Sequence, residues 1–185
     1  PEFDRAPPNY TMREWCLEAH PDHRPSAQEI NTHLSLLFPE VRARGFLELR
    51  GMDSLPRGWQ FVPAAFWTGL LYDQNILQKV LELLLEHRQS LLEFWKLSSG
   101  GLQQTQGFGK LAQEVFDLAR QGFEALPSCF RSHCDMNVLN VFAERFVEQM
   151  RSPADDLIAI GKQGGHLALD SILKLNDNIE NEISK

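Results

Sequence analysis

Apolar residues recur with helical spacing along most of this chain, whereas one short run, residues 45–50, has the alternating pattern of a strand. An isolated strand cannot satisfy its own backbone hydrogen bonds, because the edge of a sheet needs a partner. We therefore expect a mainly α-helical protein with one or two strands. The strands that would complete the sheet are expected in a part of the protein that is missing from this chain.

Start and stop signals divide the helical regions. Thr11 with Glu14 and Ser26 with Glu29 have the spacing of capping boxes, and Ser152 stands before a proline at a first helical position. The segment GKQGG at 161–165 is interpreted as a helix stop and a linker. We predict one domain over 1–160 and a linker with an amphipathic tail helix over 161–185. The predicted helices cover about 11–19, 26–38, 63–72, 76–96, 108–126, 135–150, 152–160 and 167–184.

Composition excludes several classes of protein. The chain has 185 residues, 43% of them hydrophobic, which is enough for an ordinary core. A net charge of −7 without a cluster of lysine and arginine argues against a nucleic-acid partner. No apolar run is long enough to cross a membrane. Three cysteines are too few for a secreted disulfide framework, so a cytoplasmic location is predicted.

The stretch RGFLELRGMD at 44–53 carries two charged residues in a strand-like run. Because alternate residues of a strand point to the same side, Glu48 and Arg50 share a face with Phe46. The two charges form either a surface ion pair of little energetic weight or one wall of a polar cleft. The planar guanidinium of Arg50 would suit phosphate or carboxylate in such a cleft.

Other candidate sites have weaker patterns. Two groups of cysteine and histidine could form a zinc site only if folding brought them together, and their spacing matches no standard zinc motif, so no metal site is predicted. The first group is Cys16, His20 and His23, and the second is Cys129, His133 and Cys134. Trp67 and Tyr72 lie in an apolar segment and belong either to the core or to the wall of a ligand pocket. No Walker loop, GxGxxG or HExxH motif is present.

Four segments in the same order resemble the plant and proteobacterial type of glutamate–cysteine ligase. They are THLSLLFPEVRARGFLELRGMDSLP at 32–56, VPAAFWTGLLYD at 62–73, FGKLAQEVFDLARQGFEAL at 108–126 and RSPADDLI at 151–158. The resemblance covers about residues 9–160. It implies the C-terminal part of a glutamine-synthetase-like α+β ligase fold, with helices around strands whose sheet partners are missing.

The resemblance also implies an activity and a set of site residues. The family joins glutamate to cysteine in an ATP-dependent reaction, through a glutamyl acyl phosphate, and uses Mg²⁺. Carried over to this chain, Arg50 would be catalytic and would bind the acyl phosphate or a substrate carboxylate, with Glu48 orienting Arg50 or a neighbouring donor. Asp53 would secure the following loop, and Trp67 and Tyr72 would support the pocket wall.

The same resemblance sets the expected partners. These are glutamate, cysteine and ATP, the missing N-terminal half of the same protein, and a second copy of the chain in a possible homo-oligomer. The metal ligands would lie in the missing half, so this chain alone is not expected to bind ATP or Mg²⁺ tightly. The segment SLPRG at 54–58 departs from the family's glycine-rich turn, which leaves the acceptor amine open. The alternative is a noncatalytic helical interaction module derived from this fold.

Overall fold

The structure, a computed structural model, is mainly helical and divides into two units, Pro1–Met52 and Asp53–Lys185. It describes residues 9–17, 24–43, 45–98, 100–101, 107–132 and 134–164, together with Ile179 and Ile183. The prediction of many helices and little strand is confirmed, and the glutamine-synthetase-like architecture stays a prediction. In chain order the elements are α1 (Met12–Leu17), α2 (Ala27–Leu36), β1 (Val41–Ala43), β2 (Leu47–Leu49), a 3₁₀ turn (Arg57–Trp59), α3 (Val62–Tyr72), α4 (Gln74–Glu86), α5 (Leu91–Ser98), α6 (Gly109–Ala125), α7 (Ser128–Arg131), α8 (Met136–Phe142), a π-helix (Ala143–Val147) and α9 (Pro153–Gly164).

Both predicted capping boxes are present in the first unit. Ser26 accepts a hydrogen bond from the backbone N–H of Glu29 at 3.2 Å, and the Glu29 carboxylate accepts one from the backbone N–H of Ser26 at 2.8 Å. Thr11 and Glu14 make the same reciprocal pair at the start of α1. These bonds satisfy helix N–H groups that have no partner inside the helix.

The strand-like run pairs within the chain, which corrects the prediction of an orphan strand. β2 is antiparallel to β1, with Arg42 opposite Glu48, and the backbone N–H of Arg50 extends the pairing to the carbonyl of Glu40 at 2.7 Å. Gly45, at φ +78°, lies in the connection, where a positive φ favours glycine. β1 is only three residues long and is separated from the end of α2 by residues 37–40, so its pattern is too short to detect from sequence.

The second unit is built around the contact between α3 and α6. Trp59 and Phe123 are fully buried at its centre, together with Leu139 and Phe146 from the next two helical segments. α3 and α4 are separate helices, because the Asp73 carboxylate accepts hydrogen bonds from the backbone N–H groups of Asn75 and Ile76 at the start of α4. The single predicted helix over 76–96 is wrong, since a polar turn at 87–90 separates α4 from α5.

The end of the chain differs from the predicted linker. α9 continues through residues 161–164, because its apolar residues, including Leu157 and Ile160, pack on the core and offset the weak helix propensity of glycine. The predicted tail helix lies outside the described residues except for two positions. Ile179 is helical and buried, and the carbonyl of Ile183 accepts a hydrogen bond from Asn137 at 2.7 Å. The division at residue 160 stays a prediction.

Candidate anion-binding site

Arg50 is held in a defined position at the end of the hairpin. Its backbone is fixed by the hydrogen bond to Glu40, and its guanidinium carbon lies 4.8 Å from the centroid of the Phe38 ring, which is the distance of a cation–π contact. The Nη1 atom is buried and has no hydrogen-bond partner among the described residues. A buried cationic donor without a partner is costly, so this atom is suited to receive an oxygen of an anionic group.

Glu48 pairs with a residue that the sequence analysis did not select. Arg42 approaches its carboxylate with two nitrogens, Nε at 2.8 Å from Oε2 and Nη2 at 3.1 Å from Oε1. Both side chains are half-buried. Among the described residues Arg50 forms no ion pair with Glu48, so of the two alternatives for these charges the surface ion pair is not formed. The reason is geometric, because Arg42 and Glu48 are directly opposite across the hairpin.

The charges of the hairpin are therefore unequally distributed. The Arg42 charge is matched by Glu48, whereas the guanidinium of Arg50 contacts an aromatic ring and a buried nitrogen of it stays unpaired within the described part of the chain. Arg50 thus provides positive charge next to a neutralised pair, an arrangement that favours a bound carboxylate or phosphate.

The other three predicted site residues belong to the second unit. Asp53 is exposed at its start. Trp67 is half-buried and packs edge-on against Phe66, with ring centroids 5.4 Å apart. Tyr72 is 63% exposed and contacts the Phe130 ring at 5.6 Å. Trp67 thus packs at the edge of the core, and the substrate roles of all five predicted residues stay predictions.

Sequence reasoning missed Arg42 and Phe38 as parts of this site. The predicted helix over 26–38 includes Phe38, but α2 ends at Leu36, and the Phe38 side chain is 73% exposed and contacts Arg50. The sequence signal that could have revealed Arg42 is the alternation of apolar and charged residues at Val41, Arg42 and Ala43, which is compatible with a second short strand.

No group of three or more metal-binding side chains lies together among the described residues. Of the residues considered for zinc, His20, His23 and His133 lie outside the described ranges. Cys134 is buried, and burial followed by the adjacent charge of Asp135 raises the pKa of its thiol to about 11. This thiol is therefore kept neutral, which is unsuited to metal binding or nucleophilic attack near neutral pH.

A family comparison now defines the class of protein. Residues 12–166 match the model of the family "Glutamate-cysteine ligase family 2 (GCS2)". The chain therefore belongs to glutamate–cysteine ligase family 2, and the resemblance seen in the sequence is confirmed.

Curated relatives are chloroplastic glutamate–cysteine ligases from plants. The chain is 36% identical to "Glutamate--cysteine ligase, chloroplastic" of Medicago truncatula over 78% of its own length, and 34% identical to the Brassica juncea protein of that name over 77%. It spans only 28% and 27% of the length of those relatives. No solved structure matches the chain significantly.

The predicted cytoplasmic location is wrong, because the curated relatives, including the protein of Arabidopsis thaliana, are named as chloroplastic. Cysteine number separates reducing from oxidising environments and does not distinguish one reducing compartment from another. Among the described residues, no helix is long and apolar enough to span a membrane.

Proposed function

We propose that this chain is part of an ATP-dependent ligase that joins the γ-carboxylate of glutamate to the amine of cysteine. The proposal is supported by membership of glutamate–cysteine ligase family 2 and by relatives that are named as glutamate–cysteine ligases. The structural observation that carries it is the buried, unpartnered Nη1 of Arg50. A ligase that handles a carboxylate and a phosphoryl group needs such a cationic donor.

Arg50 has a specific role in the proposed reaction. ATP transfers its terminal phosphoryl group to the γ-carboxylate, which gives an acyl phosphate and ADP. The amine of cysteine then attacks the acyl carbon, forms the amide bond and displaces phosphate. In the proposed site Nη1 donates to an oxygen of the carboxylate or acyl phosphate. The Phe38 ring and the backbone bond to Glu40 hold the guanidinium in place, so little reorganisation is needed when the anion binds.

Glu48 contributes by fixing the neighbouring donor. Its bidentate bond with Arg42 neutralises that arginine and holds it across the hairpin. In this arrangement the anion is bound by Arg50 and is not drawn to Arg42. We assign Asp53 to the loop after the hairpin, and Trp67 and Tyr72 to the support of the substrate pocket, as the family resemblance implies.

The described residues fit the anionic part of the substrates better than the metal. Arg50 suits a phosphate or carboxylate oxygen, but no cluster of carboxylates suitable for Mg²⁺ is present among the described residues. We therefore propose that the metal ligands belong to the remainder of the protein, since the chain spans less than a third of its relatives.

Exposed apolar side chains on the first unit support the same proposal. Phe38, Val41 and Leu47 are 73%, 47% and 68% exposed, and Leu34 and Leu37 on and after α2 are also exposed. Apolar side chains in neighbouring positions of a hairpin and its preceding helix mark a surface that another part of a protein covers. We propose that the N-terminal half of the same protein covers it and supplies further strands.

The test uses the full-length protein that contains this chain. Formation of γ-glutamylcysteine is measured with glutamate, cysteine and MgATP, and each is omitted in turn. We expect product only with all three, and a fall in rate of about 10²–10³ in Arg50→Ala, because a donor to the developing charge is lost. Arg50→Lys should recover part of that loss, since it keeps the charge without the planar fork.

Arg88→Ala is the matched control, because Arg88 is exposed in the turn between α4 and α5 and its described contact is a backbone bond to Leu85. Its rate should equal that of the wild type. An Arg50→Ala protein with wild-type rate would contradict the role of Arg50. Failure of the wild-type protein to form product would contradict the ligase and favour the noncatalytic helical module.

A further inference from the structure

The second unit contains an apolar cavity of about 290 Å³ that the proposed ligase reaction does not use. Ten side chains from α3, α4, α5, α6 and the segment around 147–150 line it, and all ten are apolar. Phe116 and Leu111 are buried and the others are half-buried, so none of the lining is exposed. The cavity is half-open, so part of its apolar lining is in contact with water, and covering that surface with an apolar ligand would be favourable.

Two departures from regular backbone occur at one wall of this cavity. The segment Ala143–Val147 is a π-helix, with the N–H of Glu148 bonded to the carbonyl of Ala143 at 2.9 Å, and it supplies Val147 to the lining. Met150 also lines the cavity and has a left-handed backbone, with φ +54°, which is uncommon for a residue with a side chain. Such features persist where the surrounding structure fixes them, and they concentrate at functional sites.

The surrounding structure does fix this wall. Asp156, on α9, binds Arg145 at 2.8 Å and Arg151 at 2.7 Å, so one carboxylate holds the π-helix and the residue after Met150. The Met150 side chain lies against Gly109, where a Cβ atom would overlap its sulfur. The absence of a side chain at Gly109 thus lets a flexible thioether cover part of the cavity, and a thioether can move to admit a ligand.

We propose that this cavity is a binding site for a compact, uncharged apolar molecule. Among the described residues, the lining offers no hydrogen-bonding side chain, so a charged or strongly polar ligand would lose its hydration without compensation there. The volume exceeds the roughly 150 Å³ of an engineered apolar cavity that accepts benzene. A substituted aromatic ring or a short branched hydrocarbon therefore matches the site in size and in polarity.

The first test compares two molecules of nearly the same shape on the full chain. p-Xylene is uncharged, and p-toluate replaces one of its methyl groups by a carboxylate. We expect p-xylene to bind saturably and to raise the thermal midpoint, and p-toluate to do neither at the same concentrations. Equal binding of both, or no saturable binding of p-xylene, would overturn the proposal.

The second test places the ligand in this cavity. Ala112→Phe fills the space from α6 and should abolish the binding of p-xylene, whereas Ala125→Phe adds the same ring at the exposed end of the same helix and should not. Undiminished binding in a folded Ala112→Phe protein would overturn the proposal.

A measurement on the unsubstituted chain keeps the test decisive if Ala112→Phe does not fold. With ¹³C-labelled methionine methyl groups, p-xylene should shift the signal of Met150 and leave that of Met12, on α1, unchanged. The Met150 signal is assigned with Met150→Leu. A Met150 signal that stays unchanged at saturating p-xylene would place the ligand elsewhere and contradict the proposal.

Discussion

At the scale of single residues, the two arginines of the hairpin differ: Arg42 is paired with Glu48, whereas Nη1 of Arg50 has no hydrogen-bond partner among the described residues. The pair is half-buried, with 21% and 33% of the two side chains exposed, and two nitrogens of the planar Arg42 guanidinium bind the Glu48 carboxylate. Solvent screening limits its value, so we expect a coupling energy of about 0.5–1 kcal/mol. Its contribution is therefore to orientation more than to the stability of the hairpin.

A double-mutant cycle checks this expectation. Arg42→Ala, Glu48→Ala and the double variant are unfolded with urea, and the coupling energy is taken from the three changes in the free energy of unfolding. A coupling energy near zero would contradict the bidentate geometry. A matched cycle on Lys110 and Glu114, an exposed pair on α6, should give a smaller value because its cation is 88% exposed.

Cys134 gives a second prediction at this scale. Because burial raises the pKa of the thiol to about 11, the folded protein keeps its proton at pH values where the unfolded chain loses it. The unfolded state then binds fewer protons, so the free energy of unfolding falls as pH rises from about 9 towards 11. The contribution of the neutral thiol is complete below about pH 9.

The measurement compares urea unfolding at pH 8 and pH 10.5. Cys134→Ala should lose part of the pH dependence seen in the wild type, whereas Cys129→Ala should keep it, since Cys129 is exposed. If Cys134→Ala and the wild type have the same slope, the thiol is not buried as described here.

At the scale of elements, local signals in the sequence were sufficient to predict where a helix begins when a single capping residue determines that position. Ser26 accepts a hydrogen bond from the backbone N–H of Glu29, as the capping-box spacing predicts, and Asp135 accepts one from the backbone N–H of Asn137 at the start of α8. The turn at 87–90 and the π-helix were missed, because apolar spacing continues through both. The partner of β2 was missed because three residues give too little alternation for a strand to be recognised.

The contact between α3 and α6 depends on two glycines, so a substitution at either glycine should lower the stability of the protein. A Cβ atom at Gly122 would overlap the backbone carbonyl of Gly69, and one at Gly69 would overlap that of Ala119. Neither carbonyl can move without separating the helices. Gly122→Ala should therefore lower the free energy of unfolding by on the order of 1–3 kcal/mol, although alanine favours helix.

Gly161→Ala on α9 is the control, since a Cβ atom there meets nothing within 4 Å. It should be neutral or stabilise by up to about 1 kcal/mol, which is the difference in helix propensity. Urea unfolding of both variants makes the comparison. Equal effects of the two substitutions would contradict the close approach of α3 and α6.

At the scale of the whole molecule, the sequence identified the family but could not assemble the site. The motifs around Arg50, Trp67 and the helix at 108–126 lie in family order, and the family match over residues 12–166 agrees with them. Their geometry depends on contacts that are distant in sequence. The pairing of Arg42 with Glu48 and the unpaired nitrogen of Arg50 became visible only with the hairpin folded.

The central claim is that the hairpin with Arg50 serves a reaction through an acyl phosphate. The measurement that tests it most directly follows ¹⁸O from the γ-carboxylate of labelled glutamate in the full-length protein with cysteine and MgATP. In that reaction the amine displaces phosphate by breaking the carbon–oxygen bond, so one ¹⁸O atom should leave with each phosphate. Arg50→Ala should slow this transfer about 10²–10³-fold, and Arg88→Ala should not. Phosphate without ¹⁸O, or transfer at the wild-type rate in Arg50→Ala, would contradict the claim.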